Sequence, residues 1–163
     1  MHSLESKQIC ETVVVDDDAN FRSYIKTNPT GFVVVTEPYG ELDGLTLPSD
    51  AGDFSKWVRQ NTPSVNVETH KADRYIVRRS GDYWLPLVFL ASDIALPIYL
   101  NLVANYIYDK MKGALKGEAA RVHLSAVYED RNAGVVKRFN FEGDLDSLQK
   151  VIKRFDLNQF LDE

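Results

Sequence analysis

Period-two alternation is clearest in the last third of the chain. In RVHLSAVYE (121–129), Val122, Leu124, Ala126 and Tyr128 fall on one face of a strand and His123 and Ser125 on the other. VVKRFNFE (135–142) answers with Phe139 and Phe141 on one face, and the connector DRNAG contains Gly134, as short hairpin loops often do. After Gly143–Asp144 the period changes to that of a helix, with Leu145, Leu148, Ile152 and Phe155 on one side. Asp144 and Asp146 lie at its positive end, and Lys150, Lys153 and Arg154 toward its negative end.

The first half is more broken. A short strand is predicted at Thr12–Asp16, then a helix from Asp18 to about Lys26, stopped by TNPTG at 27–31. FVVVT (32–36) is β-branched and reads as a strand, and EPYGELDGLTLPSDAGD (37–53) reads as a long loop. Asp53 can cap a short helix from Phe54 to Gln60. VNVET and RYIVRR read as strands, with SGD at 80–82 as a turn. No repeat or low-complexity tract interrupts the pattern.

WLPLVFLASDIALPIYLNLVANYIYDKMKG (84–113) contains no basic residue before Lys110. A helix is predicted at about 94–112, with Asp93 as its cap, Pro97 in its first turn, Lys110 and Lys112 near its negative end and Gly113 as its stop. Such a helix would be roughly 28 Å long, close to the hydrocarbon thickness of a bilayer. Pro86 and Pro97 divide the run, however, and Asp93 sits near its middle. A central aspartate costs about 2.5–3.5 kcal/mol on insertion scales. Asn101, Asn105 and Asp109 recur every four residues as a polar stripe. A buried helix with one wet face is therefore favoured over a membrane helix. The same three residues are the candidate partner-binding positions, because the stripe also suits a helix–helix contact between subunits.

The resulting fold class is α+β, a mostly antiparallel sheet with helices packed on one face and the 94–112 helix central. The 163 residues suit a single domain, or an N-terminal lobe (1–82) beside a helix-hairpin-helix lobe (83–163). Composition is ordinary for a globular protein, with 44% apolar and 26% charged residues. A net charge of −5 argues against general nucleic-acid binding. Cys10, the sole cysteine, forms no internal disulfide, and MHSLESKQIC lacks the basic start and apolar run of a signal peptide.

Few residues carry chemistry. VVVDDD at 13–18 resembles the acidic strand end of response-regulator receivers, but the expected phosphoacceptor aspartate and lysine–proline pair are missing. Asp16–Asp18 then read as a strand end and helix cap, with Asp16 and Asp17 as a metal-binding alternative. His123 and Ser125 share a face, yet no aspartate is placed by sequence to orient a triad. The acidic neighbours Glu5 and Glu11 raise rather than lower the pKa of Cys10. No P-loop, GxGxxG, HExxH or CxxC occurs, so neither a cofactor nor a metal is expected. Arg74, Arg78 and Arg79 near Tyr75, and Lys137 and Arg138 with Lys150, Lys153 and Arg154, form two basic groups; solvated faces and ion pairs account for them better than single-stranded nucleic acid does.

LPIYLNLVANYIYDKMKG, followed by the hairpin and FEGDLDSLQKVIKRF, resembles segments of small uncharacterised bacterial proteins over about residues 84–155. The resemblance implies a bacterial cytosolic origin and transfers no functional residue. The functional expectation is a non-enzymatic binding or regulatory domain working through a protein partner or self-association. The alternatives are a membrane-acting protein that inserts 84–112 and a small metal-dependent hydrolase or nuclease using Asp16, Asp17 and Glu37.

Overall fold

The structure, a computed structural model, describes residues 9–13, 18–37, 44–76, 82–112, 121–130 and 134–161, without the side chains of 9–13, 18 and 155–161. In chain order the elements are β1 (Ile9–Val13), α1 (Asp18–Thr27), β2 (Phe32–Val35), β3 (Thr46–Pro48), α2 (Asp50–Asn61), β4 (Val67–Thr69), β5 (Arg74–Ile76), β6 (Tyr83–Leu90), α3 (Leu96–Met111), β7 (Val122–Asp130), β8 (Val135–Gly143) and α4 (Leu145–Leu161). The class is α+β. Six strands form one sheet in the order β1-β8-β7-β6-β2-β4, and β3 and β5 form a small second sheet.

The main sheet is mixed rather than mostly antiparallel. β6–β7 and β2–β4 run parallel, while β1–β8, β7–β8 and β2–β6 run antiparallel. Parallel neighbours need a long crossover, usually helical. Here α2 lies between β2 and β4, and α3 between β6 and β7. The expected 121–142 hairpin forms with pairing from Val122↔Gly143 to Asp130↔Val135. Gly134 adopts φ 69° beside its turn.

Strands β2, β6, β7 and β8 divide their side chains between two faces. Phe32, Val34, Leu85, Val88, Leu90, Val122, Leu124, Ala126, Phe139 and Phe141 join the large core with α2, α3 and α4. Val33, Val35, Leu87, Phe89, Val127 and Val136 face the other way and pack with Phe21 of α1. Three helices thus share one face, and α1 covers part of the opposite one.

The apolar run of 84–113 splits into two elements. Its first part is β6, paired on both edges, and it is apolar on both faces because Leu85, Val88 and Leu90 enter one core and Leu87 and Phe89 the other. Its second part is α3, whose Leu96, Tyr99, Leu100, Val103, Tyr106 and Ile107 are buried. Pro97 sits in the first turn as expected. Asp93 does not cap this helix. Ala95 occupies that position, and the Asp93 carboxylate instead accepts from the Gly31 backbone N–H at 2.8 Å. Among the described residues no helix is long and apolar enough to cross a membrane.

Gly31 is the fixed point of the TNPTG turn. Its φ is 74°, and a Cβ there would lie 1.7 Å from the Asn66 carbonyl oxygen. The 37–53 loop is shorter than the sequence suggested, because Thr46–Pro48 is drawn into parallel pairing with Arg74–Ile76. The following helix begins at Asp50, with Asp53 inside its first turn rather than at its cap. The last helix opens after Gly143–Asp144 as expected, and Asp144 caps it: its Oδ1 accepts from the Ser147 N–H at 2.8 Å. The helix stop at Gly113 and the strand residues 14–16 lie outside the described residues.

Candidate functional site

The polar site lies on the α1 side of the main sheet, beyond the reach of α1. It owes its shape to an irregularity in β6. Trp84 pairs with His123 and Leu87 with Ser125, so two β6 residues stand opposite the single Leu124 of β7. This bulge resets the alternation. Leu85 and Val88 both reach the helix-side core, while Leu87 joins the opposite cluster. Pro86, inside the bulge, has no N–H for the ladder.

A cavity of about 260 Å³ opens here. Its lining combines Val35, Leu87 and Trp84 of the main sheet with Pro48 and Ile76 of the small sheet, and Glu37, Thr46, His123 and Ser125 supply polar groups. The small sheet therefore forms one wall of a hollow whose other walls are β2, β6 and β7.

At the end near Trp84 stands a charged cluster. The His123 ring lies flat on Trp84, with centroids 3.6 Å apart and planes 2° from parallel. Parallel pairing of their strands sets the two residues side by side. His123 Nε2 lies 3.1 Å from Asp82 Oδ2, and Nδ1 lies 3.3 Å from Glu142 Oε1. Asp82 also accepts from the Arg121 backbone N–H at 3.2 Å. Desolvation draws the Asp82 carboxyl upward, but the hydrogen bond from His123 and that from Arg121 together hold it below the ordinary range.

Along β7 and β8 the next rung is Ser125–Asn140. Ser125 Oγ donates to Asn140 Oδ1 at 2.6 Å, and Arg138 Nε donates to the same oxygen at 3.1 Å. Arg138 Nη2 reaches to 3.7 Å from Glu37 Oε2. Thr46 Oγ1 donates to the Glu37 carbonyl oxygen at 2.7 Å, closing the junction between β2 and the small sheet.

The shared face of His123 and Ser125 was legible from alternation. Asp82 was not, because it is 41 residues from His123 and meets it only through the parallel β6–β7 pairing. The arrangement is not a hydrolytic triad. A general base needs one ring nitrogen facing the nucleophile. Here both nitrogens face carboxylates, and the serine proton points to an asparagine. Nor is it a metal centre, since the carboxylates sit at opposite edges of the ring and their oxygens do not converge. Among the described residues no group of three His, Cys, Asp or Glu side chains can hold a metal ion.

The other candidate positions are dispersed. Asn101 and Asn105 lie exposed on α3. Asp109 accepts from Trp57 Nε1 of α2 at 3.0 Å and stands 3.9 Å from Lys112 Nζ. One turn away, Asp53 binds Lys110 Nζ at 2.9 Å and accepts from the Tyr106 hydroxyl at 2.8 Å. Desolvation works against ionisation of Asp53, yet hydrogen bonds from Lys110 and Tyr106 hold its carboxyl low. His70 packs edge-on against Tyr24. Asp16, Asp17, Arg78 and Arg79, and the Cys10 side chain, lie outside the described residues. Of the second basic group, Lys137 pairs with Asp130 at 2.9 Å. Arg138 faces the polar site, whereas Lys150, Lys153 and Arg154 are exposed on α4 in the opposite layer. These five do not gather into one patch.

Compared with protein-family models, curated proteins and solved structures, the chain matches none.

Proposed function

We propose that this chain is a non-enzymatic binding domain that acts by self-association, with the outer face of α3 meeting the same face of a second copy. One observation carries the proposal. Ile98, Asn101, Asn105 and Tyr108 fall within an arc of about 80° on α3. Ile98 and Tyr108 are 48% and 57% exposed and lie on the same side of the helix as the two asparagines. The four are also symmetric about Val103, with the asparagines two residues to either side and the apolar pair five. A two-fold axis through that point would set Ile98 against Tyr108 of the partner subunit and Asn101 against Asn105 of the partner subunit. Two-fold interfaces require this self-complementarity, and an amide both donates and accepts to another amide.

The paired states of His123 and Ser125 support a role in binding rather than catalysis. The setting we propose is a bacterial cytosol, supported by the resemblance of residues 84–155 and a chain that needs no disulfide. Asp109 belongs to the rim of the surface, tied to Trp57 within its own chain.

The contact along α3 spans about 15 Å. By itself it falls below the ~1,200 Å² of a stable interface, so α2 and α4 must add flanking contacts, and association is expected at micromolar concentration. Light scattering after size exclusion tests this. A dimer is expected at 100 µM, about the upper micromolar range of weak self-association. Ile98→Asp should abolish it. Asn101→Asp with Asn105→Asp should also abolish it by opposing like charges, whereas Asn101→Asp with Asn105→Lys should preserve it. A strict monomer overturns the proposal, as does a dimer indifferent to these changes.

A further inference from the structure

We propose that the cavity between the main and small sheets is a binding site for a small organic cation with an apolar body. This goes beyond self-association and rests on different residues.

The first argument is hydrogen-bonding capacity. Ser125 spends its only proton on Asn140, and Thr46 spends its own on the Glu37 carbonyl. Both hydroxyl oxygens keep lone pairs and have no proton left to give. Glu37 adds a carboxylate, and Arg138 at 3.7 Å is beyond hydrogen-bond distance from it. His123 directs both nitrogens to Asp82 and Glu142. The Trp84 indole nitrogen is buried away from solvent, and Pro86 has no N–H. Among the described lining residues, Ser125, Thr46 and Glu37 therefore offer acceptors, which suits a ligand carrying N–H donors.

The second argument is charge. Glu37, Asp82 and Glu142 surround the polar end, against the guanidinium groups of Arg138 and Arg121. The carboxylates outnumber the guanidinium groups three to two, and a monocation offsets the difference. The third is shape. Val35, Pro48, Ile76 and Leu87 give the remaining wall an apolar surface. At about 260 Å³ the space is slightly smaller than common ligand sites, which suits a molecule of roughly ten non-hydrogen atoms. An aryl or branched alkyl amine or amidine has this combination.

Three probes of similar size but different charge test the site: benzamidine, benzyl alcohol and benzoate. Each is titrated into the full chain by calorimetry and by following cross-peaks of Ser125 and Leu87 in nuclear magnetic resonance spectra. Benzamidine is expected to bind at least about tenfold more tightly than benzyl alcohol, a difference of about 1.4 kcal/mol, and benzoate more weakly than either. Glu37→Gln, at a half-exposed position, should remove the tenfold preference of benzamidine over benzyl alcohol. Ile76→Trp, which fills the hollow, should remove all three; a melting curve and amide spectrum like the parent's establish that the variant is folded. The proposal is overturned if benzamidine does not bind at the reporting cross-peaks, or binds no better than benzyl alcohol. It is also overturned if benzoate binds best, which would mark an anion site organised by Arg138, or if Glu37→Gln leaves the benzamidine affinity intact.

Discussion

The two faces of the main sheet are built to different ends. The helix-side face is dry and continuous: Phe54 packs against Phe32, Tyr99 and Tyr106 with ring centroids 5.1–6.1 Å apart, and all four rings are buried. On the other face, apolar packing among the described residues covers the end beneath α1, where Phe21 and Tyr24 each meet Phe89 at 5.5 Å. Beyond α1 the same strands carry His123, Ser125, Asn140, Arg138 and Glu142, and a hollow opens under the small sheet. The difference teaches where each task resides. One face supplies most of the apolar burial, which leaves the other free to hold polar groups and unfilled space.

The largest expected effect breaks this comparison directly. Phe54→Ala should cost about 3–5 kcal/mol, as removing a fully buried ring from a close-packed core does. Leu87→Ala, at the edge of the hollow, should cost about 2 kcal/mol, because fewer neighbours lose contacts there. Urea denaturation of both variants checks the ratio; equal costs would mean that the two faces are packed alike.

Gly31→Ala comes next, at about 3 kcal/mol or more. The new side chain must both adopt positive φ and displace the Asn66 carbonyl. Circular dichroism melting would show it, and Asn at this position should fail as well because the clash is with backbone. Tyr99→Phe acts in the opposite direction. The Tyr99 hydroxyl is buried with no hydrogen-bond partner among the described residues. Removing it should raise stability by about 1 kcal/mol, readable in the denaturation midpoint. A loss instead would reveal a partner for that oxygen and a wetter helix-side face than described.

The smallest effect concerns acid. The carboxyls of Asp53, Asp82 and Asp144 are held below the ordinary aspartate value of 3.8; at Asp144 the cause is the side-chain and backbone hydrogen bonds of Ser147. A depressed folded pKa adds stability that is complete above the unfolded value and lost as pH falls through the folded one. Stability should therefore hold down to about pH 4 and decline below it. Asp82→Asn should flatten that decline on the polar face while leaving the contributions of Asp53 and Asp144, as urea midpoints at successive pH values would show.

Local signals carried part of this structure. The β7–β8 hairpin, the α4 helix and the β2 strand follow from alternation, turn chemistry and helical period within a dozen residues, and all three form. The nearby placement of His123 and Ser125 came from the same alternation. Other features needed distant chain. The 84–113 run was apolar on every side, so period alone did not separate β6 from α3. Asp93 looked like a helix cap, but the Gly31 N–H competed for its carboxylate across 62 residues of sequence. The loop before α2 gained a strand because β5 offered it a partner.

The sequence by itself determined which segments are strands and helices wherever one face had to be apolar and the other wet, because that requirement is written residue by residue. Only the tertiary structure decided that β6 and β7 run parallel, that their pairing sets Trp84 against His123, and that Asp82 and Glu142 flank one imidazole. Those outcomes depend on which strands become neighbours, a choice fixed by burial of the whole sheet rather than by any local stretch of chain.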